Sequence, residues 1–426
     1  MSGRSLEDWL AYISAQHPAT IALGLDRVHA VAKRMGLEYF APAAGAQSVT
    51  IIVGGTNGKG STCAFLESIL SEAGYKTGLY TSPHLLRYNE RVRVGGEEAC
   101  DAVLADSFAR VEAARGDTQL TYFEFGTLAA IAVFADAKVD AAILEVGLGG
   151  RLDAVNIVDA DCAIVASVDL DHQAFLGTDR ESIGFEKAGI FRSNRPAIFG
   201  DTGPPSSLVA HAEAVGADLQ IFGRDFRYEA AERQWDFFGR KGARRALPIP
   251  ALRGRWQLKN ASTALAALAE VDDRLPVSLG EVKHGLMHVR LPGRLQVLPG
   301  RPSIVLDVGH NPHAARSLAD GLGDMGFFEN TFAVFAILAD KDVGGVIDAM
   351  RGRIDRWYVS AAQAERAAPA AMVSEALAQR GLGEVTRRFA SVAGALDAAR
   401  RDAGPNDRII VFGSFYTVAE ALRSAR

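Results

Sequence analysis

Nine consecutive residues, Gly54-Gly55-Thr56-Asn57-Gly58-Lys59-Gly60-Ser61-Thr62, constrain this chain more than any other stretch. Before them, Ser48 to Val53 is an apolar run of strand length. After them Leu66, Ile69 and Leu70 fall at helical spacing until Gly74 stops the pattern. A strand that feeds a glycine loop opening into a helix is built to hold phosphate. Glycines let backbone N–H groups close around phosphate oxygens, the helix N-terminus favours an anion, and Lys59 adds a point charge. The stretch departs from the common G-x-x-x-x-G-K-[ST] form: Val53 takes the first glycine position, and Gly60 stands between Lys59 and the hydroxyls of Ser61 and Thr62. The bland alternative, a glycine turn with a solvated lysine, does not explain the strand before it and the helix after it.

The rest of the chain repeats the strand–helix rhythm, which implies an α/β fold with largely parallel strands. Lys76 to Tyr80, Ala141 to Glu145 and Cys162 to Val168 read as strands. Arg227 to Phe238 alternates aromatics with charges and reads as an antiparallel excursion, and helical spacing returns from Gln257 to Ala269. Breaks marked by Pro and Gly fall at Leu291-Pro292-Gly293-Arg294 and Pro299-Gly300. Beyond them the rhythm restarts with strands at Ser303 to Val308, Thr331 to Leu338, Trp357 to Ser360 and Arg408 to Phe412. Two domains follow, residues 1–294 and a smaller one over 295–426.

The 426 residues are enough for such an arrangement. A net charge of −5 without long runs of one sign argues against a nucleic-acid binder. Arg4, Glu7 and Asp8 interrupt any export signal, while Leu6, Trp9, Leu10 and Ile13 fall at helical spacing. No apolar run spans a bilayer. Three scattered cysteines, Cys63, Cys100 and Cys162, fit a reducing cytoplasm and offer neither a disulfide framework nor a thiolate zinc site.

Nucleotide chemistry needs Mg²⁺, which takes oxygen ligands and keeps waters. Glu145 ends a buried strand, where ligands sit in open α/β sheets, and a glycine-rich turn through Asp153 follows it. Asp171-His172 follows another strand; read alone, His172 is as well explained by a structural hydrogen bond. Glu186-Lys187, in a helical stretch from Glu181 to Ile190, reads by itself as a surface charge pair, and Ser82-Pro83 reads as a turn.

Taken together these segments resemble one family. Gly55-Thr56-Asn57-Gly58-Lys59-Gly60-Ser61, Ser82-Pro83-His84-Leu85, Glu145 to Asp153, Asp171-His172, Glu186-Lys187-Ala188-Gly189-Ile190, Leu291 to Arg294 and Asp307-Val308-Gly309-His310-Asn311-Pro312 occur in order. The chain resembles the bifunctional dihydrofolate synthase/folylpolyglutamate synthase family, within the Mur ligase superfamily, over nearly its whole length. The resemblance implies a P-loop NTPase-like Mur ligase ATPase domain followed by a smaller Rossmann-like α/β domain. It implies that ATP phosphorylates a substrate carboxylate and that the amino group of L-glutamate displaces the phosphate, first on dihydropteroate and then on folates.

The resemblance also implies residue roles. Gly55, Thr56, Asn57, Gly58, Lys59, Gly60 and Ser61 would hold the triphosphate, and Asn260, Arg294, Asp307 and His310 would contact the nucleotide, with domain closure completing the site. Ser82, Glu145 and His172 would ligate magnesium. ATP, two Mg²⁺ and a K⁺ are the implied cofactors. Lys187 would be carbamylated, turning a cation into an anion beside the metals, and Lys59, Lys187 and His172 would form the catalytic set. Ile21, Ala22, Leu23, Thr121, Tyr122, Phe123, Glu124, Leu152, Asp153 and Ala154 would meet the acceptor. Ala22 departs from the family's frequent Ile-Asp-Leu-Gly-Leu, and Tyr122 and Phe123 read equally well as core. A monomer acting on dihydropteroate, folates and L-glutamate, without nucleic acid or membrane, is the expectation. A cell-wall Mur ligase is disfavoured because only about fifty residues precede the loop, and a nucleotide switch because the chain lacks an N-K-x-D run. A monofunctional polyglutamylase stays open.

Overall fold

The computed structural model describes residues 3–17, 21–37 and 49–424. Ser48, the expected start of the first strand, lies outside the described residues. The chain divides into two compact units: Met1–Ala251 with Leu258–Val289, and Leu252–Gln257 with Arg290–Arg426. The main division thus falls at Val289/Arg290, a few residues before the sequence break expected to separate 294 from 295, and the second unit also takes in Leu252–Gln257.

The first unit is built on an eight-stranded sheet in the order β4-β3-β2-β5-β1-β6-β7-β8. Its strands are β1 (Val49–Gly54), β2 (Thr77–Tyr80), β3 (Val92–Val94), β4 (Glu97–Glu98), β5 (Ala141–Glu145), β6 (Cys162–Val165), β7 (Pro196–Phe199) and β8 (Asp218–Ile221). Six run parallel, and β3 and β4 add an antiparallel edge. β1 is buried along its whole length, which explains its unbroken apolar run: both faces of a central parallel strand are covered. It lies between β5 and β6, so the loops after all three open at one end of the sheet.

Among the described residues the α-helices of this unit are α1 (Leu6–Ser14), α2 (Asp26–Arg34), α3 (Lys59–Glu72), α4 (Asp101–Arg115), α5 (Tyr122–Ala137), α6 (Gln173–Leu176), α7 (Arg180–Ala188), α8 (Ser206–Val215), α9 (Trp256–Glu270, whose first two residues fall in the second unit) and α10 (Leu279–His288). α1 forms where the Leu6/Trp9/Ile13 spacing placed it; these three bury, and Ser5 caps its start. The alternating stretch becomes an antiparallel three-stranded sheet of β9 (Arg227–Ala230), β10 (Gln234–Gly239) and β11 (Gly242–Pro248).

The second unit carries a six-stranded sheet in the order β12-β13-β17-β14-β15-β16. Here β12 is Gln296–Leu298, β13 Ser303–Asp307, β14 Thr331–Phe335, β15 Arg356–Val359, β16 Thr386–Arg388 and β17 Arg408–Phe412. Only β12 is antiparallel. Phe335 and Phe412 stack at 4.7 Å between ring centres in its core, with Trp357 packed edge-on against Phe335. The α/β reading of both parts is therefore correct. Among the described residues no helix is long and apolar enough to cross a membrane.

Two expected strands end three residues early in the structure. β6 stops at Val165 rather than Val168 because the following residues turn to the phosphate loop: Thr56 N–H donates to Ser167 O at 2.8 Å, and Asn57 N–H to Ser167 Oγ at 3.0 Å. β14 stops at Phe335 rather than Leu338, since the Ala336 carbonyl accepts from Thr417 Oγ1 at 2.7 Å instead of extending the ladder. The strands β4 and β16, short and polar, had no apolar pattern to announce them.

Candidate active site

The phosphate loop leaves β1 and enters α3 through Gly58, whose φ of 86° places it in the left-handed region at the helix N-cap. Glycine is needed there for two reasons. The conformation penalises a side chain, and a Cβ would stand 2.6 Å from Asn260 Oδ1. Asn260, on α9, is therefore packed against the loop. Gly55, at φ 138°, is equally restricted: its Cβ would meet Ala166 N at 3.0 Å. The Lys59 ammonium donates to the carbonyls of Gly55 at 3.0 Å and Thr56 at 3.3 Å, so loop carbonyls hold it at the mouth of the turn. Gly60 and Ser61 belong to the first turn of α3, so the inserted glycine of the sequence pattern is a helical residue.

The ends of β2 and β5 meet beside the loop. Val53, just before the loop, is in register with Glu145. Glu145 is buried, and its Oε2 accepts the Ser82 backbone N–H at 3.2 Å. His172 caps α6 with φ 51° and lines the same cavity as Ser82. Its ring nitrogen stands 4.0 Å from Asp171 Oδ1. Among the described residues no three His, Cys, Asp or Glu side chains converge as a closed metal cage. The set fits a hard ion that keeps waters and shares substrate phosphates: a buried carboxylate, a serine hydroxyl and only one imidazole.

The surface-pair reading of Glu186-Lys187 does not survive. Lys187 is only 4% exposed, and Glu186 pairs instead with Arg151 at 2.7 Å. A helical pattern reports which face is apolar, not that the end of α7 is covered by the glycine-rich turn after β5. The glycine there permits this approach, for a Cβ on Gly150 would meet the Glu186 carbonyl at 2.8 Å. Burial first, and then the nearby Lys59 cation, push the Lys187 pKa down to about 7, with Asp171 and Asp153 opposing. Asp153 is buried too, and its carboxyl is pushed up to about 7 by burial, although it accepts N–H bonds from Leu148 at 2.8 Å and Val155 at 3.1 Å.

A cavity of about 230 Å³ opens beside these groups. Ile21, Ala22, Leu23, Thr121, Phe123, Glu124, Leu152, Asp153 and Ala154 line it, together with Ser82 and His172. Tyr122 is the exception among the acceptor candidates: it packs edge-on against Tyr88, with ring centres 6.0 Å apart, and is not among the lining residues. Phe123 does line the cavity, and its ring lies where a Cβ on Gly147 would be, 2.6 Å away. Thr121 and Glu124 form the capping box that starts α5, a T-x-x-E signal visible in sequence. Pro83, Arg91, Gly147 and Leu148 also line the cavity and were missed. Arg91 has no local signature. Its Nε donates to His84 Nδ1 at 2.8 Å, and its guanidinium sits over Tyr88 and Tyr122 at 5.4 and 5.5 Å.

In the second unit the turn at Arg294 is organised by Asp307. Its buried carboxylate accepts from Leu295 N–H at 2.9 Å and Gly309 N–H at 2.7 Å. Burial raises its pKa, opposed chiefly by Arg294. Arg294 lies 5.2 Å from the Phe415 ring, and His310 turns its Nδ1 to Val308 O at 2.9 Å. These three residues therefore form one cluster at the end of β13.

Residues 53–268 match the Mur ligase middle domain, and residues 293–415 match the Mur ligase glutamate ligase domain. The dihydrofolate synthase/folylpolyglutamate synthase of Escherichia coli K12 is 46% identical, over 98% of this chain and 94% of that protein. The chain belongs to the dihydrofolate synthase/folylpolyglutamate synthase family. Its similarity extends to solved structures. Escherichia coli FolC in complex with DHPP and ADP superposes with a TM-score of 0.93 at 45% identity, covering 99% of this chain and 98% of the other. A bifunctional folylpolyglutamate synthase/dihydrofolate synthase with Mn, AMPPNP and L-glutamate bound gives 0.90 at 43% identity, with 99% and 98% covered.

Proposed function

We propose that this chain joins the amino group of L-glutamate to the carboxylate of dihydropteroate, and of folates, at the expense of ATP. One observation carries the reading: Ser82, which lines the cavity, is bonded through its N–H to Glu145, which is paired in register with the residue leading into the phosphate loop. On this reading an acceptor carboxylate and a γ-phosphate would meet at the same strand ends.

A carboxylate is a poor electrophile. Transfer of the γ-phosphoryl group to it creates an acyl phosphate and ADP. The glutamate nitrogen then attacks the carbonyl carbon, phosphate departs with the bonding pair, and the nitrogen loses a proton. The loop amides and Lys59 hold and neutralise phosphate oxygens, and the cavity walls place the acceptor and exclude water. Ser82, Glu145 and His172 would hold magnesium, which when bound neutralises charge on the transferring phosphoryl group. Two Mg²⁺ and a K⁺ belong to this reading, with Asn260, Arg294, Asp307 and His310 as nucleotide contacts.

Lys187 is assigned as a carbamate. With a pKa near 7 a large fraction of the amine is neutral at physiological pH, and only the neutral amine attacks CO₂. Lys187→Ala should lose activity and regain part of it with acetate or formate; full activity without either would refute the role. The enzyme is assigned as a cytoplasmic monomer, which a light-scattering mass of twice the chain weight would overturn.

ADP release by the purified protein tests the whole reading. It should require glutamate together with dihydropteroate or tetrahydrofolate. Release indifferent to all of these would end the proposal, and release with tetrahydrofolate alone would reduce it to polyglutamylation.

A further inference from the structure

We propose that Arg27 is a positioning residue that sets the acceptor cavity by clasping two of its walls, an inference that rests on reading this cavity as the pteroate site. One wall, Ile21 to Leu23, has no helix or strand to hold it. Its place depends on a few ties. The Arg27 Nη2 donates to Ala22 O at 2.7 Å, and Gly24 N–H donates to Leu152 O at 3.3 Å on a neighbouring wall.

The same guanidinium holds a second wall. Its Nη2 lies 2.8 Å from Glu124 Oε1, and its Nε donates to Oε2 at 3.4 Å. The Glu124 side chain is only 4% exposed. Its Oε2 also accepts Thr121 N–H at 2.8 Å, so it closes the capping box that starts α5 and fixes Thr121 and Phe123, both of them lining residues. Arg27 itself stands on a firm base, because Val28, Val31 and Ala32 of α2 are fully packed.

The chemistry calls for arginine. One planar group donates to a carboxylate and to a carbonyl at once, along directions fixed by its fork; a lysine ammonium has no such spread. The pair is not placed to be a large stabiliser, since the Arg27 side chain is 31% exposed and such pairs contribute little on their own. What it does is keep a segment without regular structure at a constant distance from α5. Ala22 offers only its carbonyl to this clasp, so the tie to the wall does not depend on the side chain at that position.

The test is steady-state kinetics on the full chain with Arg27→Met, Arg27→Lys, Glu124→Gln and the Arg27→Met/Glu124→Gln double variant. Arg27→Met should raise KM for dihydropteroate by about tenfold or more, while KM for ATP and kcat at saturation change by less than about twofold. Arg27→Lys should fall between. The double variant should be no worse in acceptor KM than the worse single variant, because both remove the same clasp. An unchanged acceptor KM, a parallel rise in the KM for ATP, or additive effects in the double variant would each overturn the proposal. Titration calorimetry of the unaltered chain with dihydropteroate separates the two levels. If the unaltered chain binds and turns it over and Arg27→Met matches it, this inference alone fails. If the unaltered chain does neither, the functional reading fails and takes this one with it.

Discussion

The backbone N–H of Ser82 donates to Oε2 of Glu145 across 3.2 Å, tying the end of β2 to the end of β5. Because the donor is main chain, the tie survives any side chain at position 82, which separates the structural contact from the chemistry of the serine hydroxyl. Ser82→Ala should therefore leave stability within about 1 kcal/mol while raising the Mg²⁺ concentration needed for half-maximal ADP release. Glu145→Gln should lower the rate on the order of 100-fold with the fold intact by circular dichroism. Equal and small effects from both would remove these two residues from the metal set.

Two glycines test whether the nucleotide and acceptor halves of the site are separable. Gly58→Ala adds a Cβ 2.6 Å from Asn260 Oδ1 at a left-handed φ, and should raise KM for ATP at a stability cost of about 1–3 kcal/mol. Gly147→Ala drives into the Phe123 ring at 2.6 Å and should raise KM for dihydropteroate while sparing ATP. Identical kinetic signatures would show that the two halves are not independent.

Lys187 makes a pH prediction. Its folded pKa, about 7, lies below the 10.5 of a free lysine, so the unfolded chain binds the extra proton between these values. The resulting penalty is fully present below pH 7, shrinks as pH rises, and is gone above 10.5. In CO₂-depleted buffer Lys187→Met should thus unfold at higher denaturant than the parent at pH 6, by on the order of 4 kcal/mol, with the gap closing toward pH 10. A gap that is flat with pH would contradict the burial of a titrating amine. The same variant should be inactive.

Asp307 offers a test in the second unit. Asp307→Asn keeps one acceptor oxygen and turns an amide N–H₂ toward Leu295 N–H or Gly309 N–H, both of which now donate to the carboxylate. A donor left unpaired in a buried turn should cost about 1–3 kcal/mol in chemical denaturation. If Arg294 meets the nucleotide, KM for ATP should rise with it. Full stability in this variant would show that the two N–H bonds are dispensable.

Local chemistry made much of this protein readable from its residues alone. Phosphate binding follows from the adjacency of an apolar strand, a glycine run and a helix, and the order of the motifs along the chain assigned the family. The capping box of Thr121 and Glu124 is equally local, made entirely within four residues. Other facts were decided only by folding. Glu186 finds Arg151 thirty-five residues away, Lys187 loses its solvent, Arg91 reaches a cavity from the last position of the 3₁₀ turn Tyr88–Arg91, and Arg27 meets Glu124 ninety-seven residues on. Desolvation and long-range pairing depend on what the rest of the chain packs against a group, and no spacing within a segment records that.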